Sequence, residues 1–116
     1  MKANNYLKGR LGENIAEVYL LEKGYEIISK NYKIKKAEID IIAYKDNIIS
    51  FVEVKSRTNR DYGLACEAVD KTKQNKIRLA ADYFLSTEKI EYEQISFDVI
   101  EVYYQDFDII HIIDCF

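Results

Sequence analysis

The chain contains no proline, four glycines and a single histidine among its 116 residues. With no proline and no Gly/Ser-rich stretch, nothing marks a linker, and no internal repeat is visible. The length fits one hydrophobic core, so residues 1–116 read as a single domain. The one histidine, His111, sits among Ile109, Ile110, Ile112 and Ile113 and reads as a structural strand residue. That leaves Ser-His-Asp chemistry without a base and argues against a zinc site. Cys66 and Cys115 form no Cys-x-x-Cys pair, so reduced thiols are the expectation. No run of about 18 apolar residues is available to span a membrane. The N-terminus, Met1 to Tyr6, lacks the apolar centre of a signal peptide, so a cytoplasmic location is expected. Neither a Gly-x-x-x-x-Gly-Lys loop nor a Gly-x-Gly-x-x-Gly turn occurs, which removes support for nucleotide-binding folds.

The net charge of −3 is unevenly spread. Residues 86–116 hold eight acids against Lys89 alone. Residues 55–78 hold Lys55, Arg57, Arg60, Lys71, Lys73, Lys76 and Arg78 against Asp61, Glu67 and Asp70. An overall acidic chain therefore still carries a basic zone suited to phosphate.

That zone follows the most informative stretch, residues 37–57. Residues 37–44 and 48–56 are rich in Ile, Val, Phe and Tyr and read as two strands. Asp46 and Asn47 between them tolerate the left-handed backbone of a two-residue turn. With Lys45 opposite Ile48, paired residue numbers sum to 93, which sets Asp40 opposite Glu53 and Glu38 opposite Lys55. Glu53 and Lys55 share a face. Two carboxylates with Cβ atoms about 4.5–5.5 Å apart repel each other, and burial raises the cost. A hard divalent cation such as Mg²⁺, held by one or two carboxylates plus water and phosphate, resolves that conflict. Asp40, Glu53 and Lys55 thus suggest metal-assisted phosphodiester hydrolysis.

The remaining elements follow from periodicity. Residues 5–24 read as a helix ended by Gly24. It has one apolar stripe of Leu7, Leu11, Ile15 and Val18 and a second of Gly9, Ala16 and Leu20, with Glu13 at its border. The small residues of the second stripe allow close approach to a sheet. Residues 25–34 form a first strand, 58–66 a polar loop, 67–85 a helix, and 95–104 and 107–113 two further strands. In the second helix Val69, Ile77, Ala80, Ala81 and Phe84 are expected inside, and Lys71, Gln74 and Arg78 outside. The fold class is α/β (α+β): a mixed central sheet of about five strands flanked by two helices, in the order α-β-β-β-α-β-β.

The series Gly9, Gly12-Glu13, Ala16, Tyr19-Leu20, Gly24-Tyr25, Asn31, Glu38-Ile39-Asp40-Ile41-Ile42-Ala43, Phe51-Val52-Glu53-Val54-Lys55-Ser56-Arg57, Gly63, Glu67-Ala68-Val69 and Lys73 resembles the bacterial YraN family. That family looks like a branch of the restriction-endonuclease-like, PD-(D/E)xK nuclease superfamily, near the archaeal Holliday junction resolvases. The resemblance implies Asp40 as the motif aspartate, Glu53 and Lys55 as the Glu-x-Lys pair, and Glu13 as the helix glutamate of the resolvases. It implies a Mg²⁺- or Mn²⁺-dependent endonuclease or exonuclease acting on DNA, branched or flapped DNA and a homodimer included. Asp40, Glu53 and Glu13 would hold the metal, with Lys55 at the attacking water. Arg57, Arg60, Lys71, Lys73 and Arg78 would hold phosphates. Where the family pattern has Gly before Glu-Ile-Asp, this chain has Ala37. A non-catalytic nucleic-acid-binding module and a protein-interaction domain on the same fold are the alternatives.

Overall fold

A computed structural model of the protein describes residues 2–58, 69–106 and 108–116, with residues 2–8 described by backbone alone. Helix α1 (Lys2–Glu22) is followed by strands β1 (Glu26–Ile34), β2 (Ala37–Lys45) and β3 (Ile48–Arg57). Helix α2 (Lys71–Thr87) then precedes β4 (Gln94–Tyr103) and β5 (Asp108–Ile112). One sheet runs in the order β1-β2-β3-β4-β5. Only β3 and β4 are parallel, as the α2 crossover between them requires. This is the mixed five-stranded α/β arrangement of restriction-endonuclease-like proteins, in the expected element order.

Local chemistry explains the boundaries. Gly24 has φ +92°, the left-handed stop after α1. Asp70 caps α2, its carboxylate accepting the Lys73 N–H at 2.8 Å. Asp46 (φ 53°) and Asn47 (φ 66°) form the two-residue turn between β2 and β3. The expected loop over 58–66 and the start of the helix expected at 67 fall largely outside the described residues.

The sheet is covered on both faces. On one, α2 sets Ile77, Ala80 and Phe84 against Ile42, Phe51, Phe97 and Val99. On the other, α1 sets Ala16 and Leu20 against Ile41, Val52, Ile100 and Val102. The small-residue stripe of α1 is therefore the inward one, with Gly12 at the closest approach. A Cβ at Gly12 would collide with the Ser56 hydroxyl, whereas one at Gly9 would meet nothing. The Leu11 and Val18 stripe faces outward and stays half exposed.

Two buried acids of the C-terminal segment have basic partners. Asp98 on β4 meets His111 Nε2 of β5 at 2.8 Å, and His111 Nδ1 lies 3.4 Å from the Tyr19 hydroxyl of α1. Glu101 meets Arg57 Nε at 3.4 Å. Cys115 is disulfide-bonded, which overturns the expectation of a reduced thiol there. Cys66 lies outside the described residues. No helix among the described residues is long and apolar enough to cross a membrane.

Candidate active site

The β2–β3 register is the one the turn dictates, with pairs running from Lys45↔Ile48 to Ile41↔Val52. In a two-residue hairpin every second pair exchanges hydrogen bonds, so Ile39 and Val54 would form the next such pair. Instead, the Val54 N–H donates to Asp40 Oδ2 at 2.8 Å. The aspartate has taken a backbone donor from the ladder, and the two strands part there.

The parting coincides with a break in alternation. Residues two apart on a strand share a face, yet Ile39 packs in the α2-side cluster and Ile41 in the α1-side cluster. Strand β1 breaks in step. Lys30, paired with Ile41, reaches Glu17 at 2.9 Å and Asn14 at 3.0 Å on α1. Tyr32, paired with Ile39, meets Phe84 of α2 edge-on at 5.4 Å. Between them Asn31 adopts φ +54°, a conformation that asparagine tolerates better than most residues. By the same register Asn31 stands opposite Asp40. The paired break turns the Asp40 carboxyl into the fork between β2 and β3.

There it meets Glu53, which is only 6% exposed. Burial, then the charge of Glu53 and a hydrogen bond that the Asp40 carboxyl donates to it, push Asp40 up to about 8. The Val54 N–H and Lys73 pull against that rise. Lys73 Nζ of α2 lies 3.3 Å from Glu53 Oε2. The expected conflict between the acids is thus real. Within the protein it is answered by the raised Asp40 carboxyl and by an ammonium arriving from the helix. Burial lowers the Lys55 ammonium, while Glu53 and Asp40 pull it up and Lys73 and Arg57 push it down. Burial and the Asp40 carboxylate hold Glu13 above its ordinary value, against a side-chain hydrogen bond with Asn31. Asn31 therefore ties the α1 glutamate to the strand that faces Asp40.

A cavity of about 350 Å³ opens over the pair, walled by Glu38, Asp40 and Glu53 and rimmed by Lys36, Thr72, Lys73 and Lys76. The donors are oxygen only, which suits a hard cation with few protein ligands. Among the described residues no group of three or more Asp, Glu, His or Cys side chains converges closely enough to hold one ion. Asp40 and Glu53 are the pair in contact, and Glu13 acts on Asp40 through space.

The expected phosphate ligands divide. Lys71 is exposed at the start of α2, and Lys73 reaches the acids. Arg57 is buried against Glu101 rather than exposed, because alternation on β3 turns it inward with Glu53. Arg78 is drawn off the expected outer stripe of α2. Its guanidinium lies 4.5 Å over the Phe97 ring and 5.8 Å from that of Phe116. Arg60 lies outside the described residues. Sequence reasoning passed over the work of Asn31, whose signal was an asparagine within an otherwise strand-like run. It also missed the Lys73–Glu53 pair, which joins α2 to β3.

A UPF0102 protein of Clostridioides difficile (strain 630) is 47% identical over 113 residues, covering 97% of this chain and 99% of the relative. One from Caldanaerobacter subterraneus subsp. tengcongensis is 48% identical over 102 residues, covering 88% and 84%. One from Dictyoglomus thermophilum is 41% identical over 99 residues, covering 85% and 84%. The pattern of Uncharacterised protein family UPF0102 matches residues 12–102, which include the second half of α1, all of α2, the acid pair and Lys55. The chain belongs to that family, the YraN family, whose fold is related to that of the PD-(D/E)xK nucleases.

Proposed function

We propose that the protein is a metal-dependent nuclease hydrolysing phosphodiester bonds in DNA. The observation that supports this reading is the Asp40–Glu53 carboxyl pair, held in a strand fork beneath a lysine-rimmed cavity. Asp40 and Glu53 would hold Mg²⁺ or Mn²⁺, with the Val54 carbonyl beside them and Glu13 acting through water. Such an ion would supply Lewis-acid polarisation of the phosphate and activation of a water. Lys55, whose ammonium is weakened by burial, orients the attacking water or meets charge developing on the phosphate. Lys73 leaves Glu53 for the substrate phosphate, and Lys36, Lys71 and Lys76 hold neighbouring phosphates without reading sequence. A branched or flapped substrate is carried by the likeness to resolvases alone.

Asp40→Ala and Lys55→Ala are each expected to abolish cleavage of branched and linear DNA in Mg²⁺ or Mn²⁺, with a cooperative melt retained. Undiminished cleavage in both variants would end the proposal.

The Lys73–Glu53 ion pair favours one second reading, a nuclease fold that grips DNA without cutting it. An acid whose charge is already met by a lysine has less need of a metal. Binding that weakens steeply with salt while every substrate stays whole, across several metals, would select it.

A further inference from the structure

Past the C-terminal end of α1, the sheet face that this helix covers turns polar. Side chains two apart on a strand share a face. Ser50 therefore follows Val52 back along β3, and Asp98 and Ser96 follow Ile100 back along β4. Where Ala16 and Leu20 meet aliphatic side chains further along, the floor here is a cross-strand pair of serines, Ser50 and Ser96, 2% and 5% exposed. A cavity of about 330 Å³ opens over them, walled by Tyr25, Lys45, Asp46 and Asp114. It sits by the β2–β3 turn, at the far end of β3 from Lys55. Glu53 turns to the other face of the sheet, towards α2.

The two serines differ. Ser96 donates to Asp98 Oδ1 and accepts the Asp114 N–H at 3.2 Å. The Ser50 hydroxyl has no hydrogen-bond partner among the described residues. A buried hydroxyl left unmet costs free energy, so this floor calls for a polar occupant. The walls narrow its chemistry. The Lys45 ammonium donates to the Lys23 carbonyl at the end of α1 at 2.6 Å and lies 5.3 Å from the centre of the Tyr25 ring. It pairs with neither Asp46 nor Asp114, and neither carboxylate has a hydrogen-bond or ion-pair partner among the described residues. One cavity thus presents both signs of charge, uncancelled. A ligand with a single charge is repelled by one wall, whereas a ligand with both is met by both. Ile48, Ile95 and Ile113 complete the lining and offer apolar surface to a side chain. We infer that this cavity is a second binding site, taking a free α-amino acid with an aliphatic side chain. The ligand carboxylate lies towards Lys45, its ammonium towards Asp46 and Asp114, and the Ser50 hydroxyl bonds to it from below. The volume is within the range of small-molecule sites. The inference does not depend on the nuclease reading, since none of these residues belongs to the acid pair or its rim.

Titration of the isotope-labelled full chain with L-leucine, followed by its backbone amide resonances, tests it. Leucine is expected to shift the amides of Lys45, Ser50 and Ser96 saturably, with a Kd of about 1 mM or tighter. Isocaproate and isoamylamine keep the leucine side chain with one charge each, and should bind at least about tenfold more weakly. Ser50→Val replaces the hydroxyl by a methyl group of similar size. It should weaken leucine binding by about tenfold or more, with a cooperative melt retained. Lys45→Met should weaken it as much by removing the positive wall. A chain whose resonances leucine leaves in place overturns the inference and leaves the cavity to water. So does binding that either single-charge analogue matches, or that Ser50→Val leaves intact.

Discussion

Asn31 and Asp40 stand opposite each other on β1 and β2, and both strands change face at that pair. The asparagine's positive φ and the aspartate's hold on the Val54 N–H are two halves of one distortion. It is what carries a carboxyl out of the ordinary pleat and into contact with Glu53.

Replacing Asn31 separates its two tasks. Asn31→Gly keeps the backbone permissive but removes the tie to Glu13, and should cost no more than about 1 kcal/mol. Asn31→Val forces a β-branched residue to a positive φ and should cost about 1–3 kcal/mol or move the strand. Chemical denaturation ranks the two. If the proposed nuclease reading holds, both variants lose cleavage, the glycine variant without a matching loss of stability.

Asp40 makes stability depend on pH. Its carboxyl is raised from 3.8 to about 8, so between those values the native state binds more protons than the unfolded chain. Stability therefore falls as pH rises from about 4 to about 8 and levels off above. Asp40→Asn should flatten that slope and stabilise the protein at pH 8 by about 2–5 kcal/mol. Urea unfolding at several pH values in the presence of chelator reads both effects.

Lys73 answers the charge of a nearly buried glutamate. Lys73→Gln should destabilise the metal-free protein by about 1–3 kcal/mol, less than for a fully buried pair because the lysine side chain is 45% exposed. With the competing ammonium gone, Mn²⁺ should raise the melting temperature of the variant more than that of the wild type. An equal or smaller shift would show that the ammonium and the ion do not compete.

The Asp98–His111 pair is a structural unit of the β4–β5 side. His111→Ala leaves a carboxylate with no exposure and without its imidazole, and should cost about 3–5 kcal/mol. Any nuclease activity per folded molecule should persist at a temperature where the variant remains native. Selective loss of activity would instead bring His111 into the chemistry.

The hairpin was legible because its information is local. Period-two alternation fixes the faces, and Asp46-Asn47 fixes the register, so the pairs from Lys45↔Ile48 to Ile41↔Val52 follow. The strand fork was not legible, since a single asparagine at positive φ leaves no mark on hydrophobic periodicity. Helix α1 offered two stripes, and glycine with alanine told which could approach the sheet. Arginines were read as surface charges, but partners distant in sequence draw them in: Glu101 holds Arg57, and Phe97 with Phe116 holds Arg78. Pairings of that kind exist only once the chain has wrapped.

The parallel pairing of β3 with β4 carries a consequence for the order of assembly. The β2–β3 hairpin is closed by contacts near in sequence and can form on the order of microseconds. The β3–β4 ladder must wait for the whole α2 crossover to be laid down, a slower, non-local step. The two carboxyls are therefore neighbours before Lys73 reaches them. During that interval the early hairpin bears an unanswered repulsion at its open end, and acidic conditions or a divalent cation should speed refolding by relieving it.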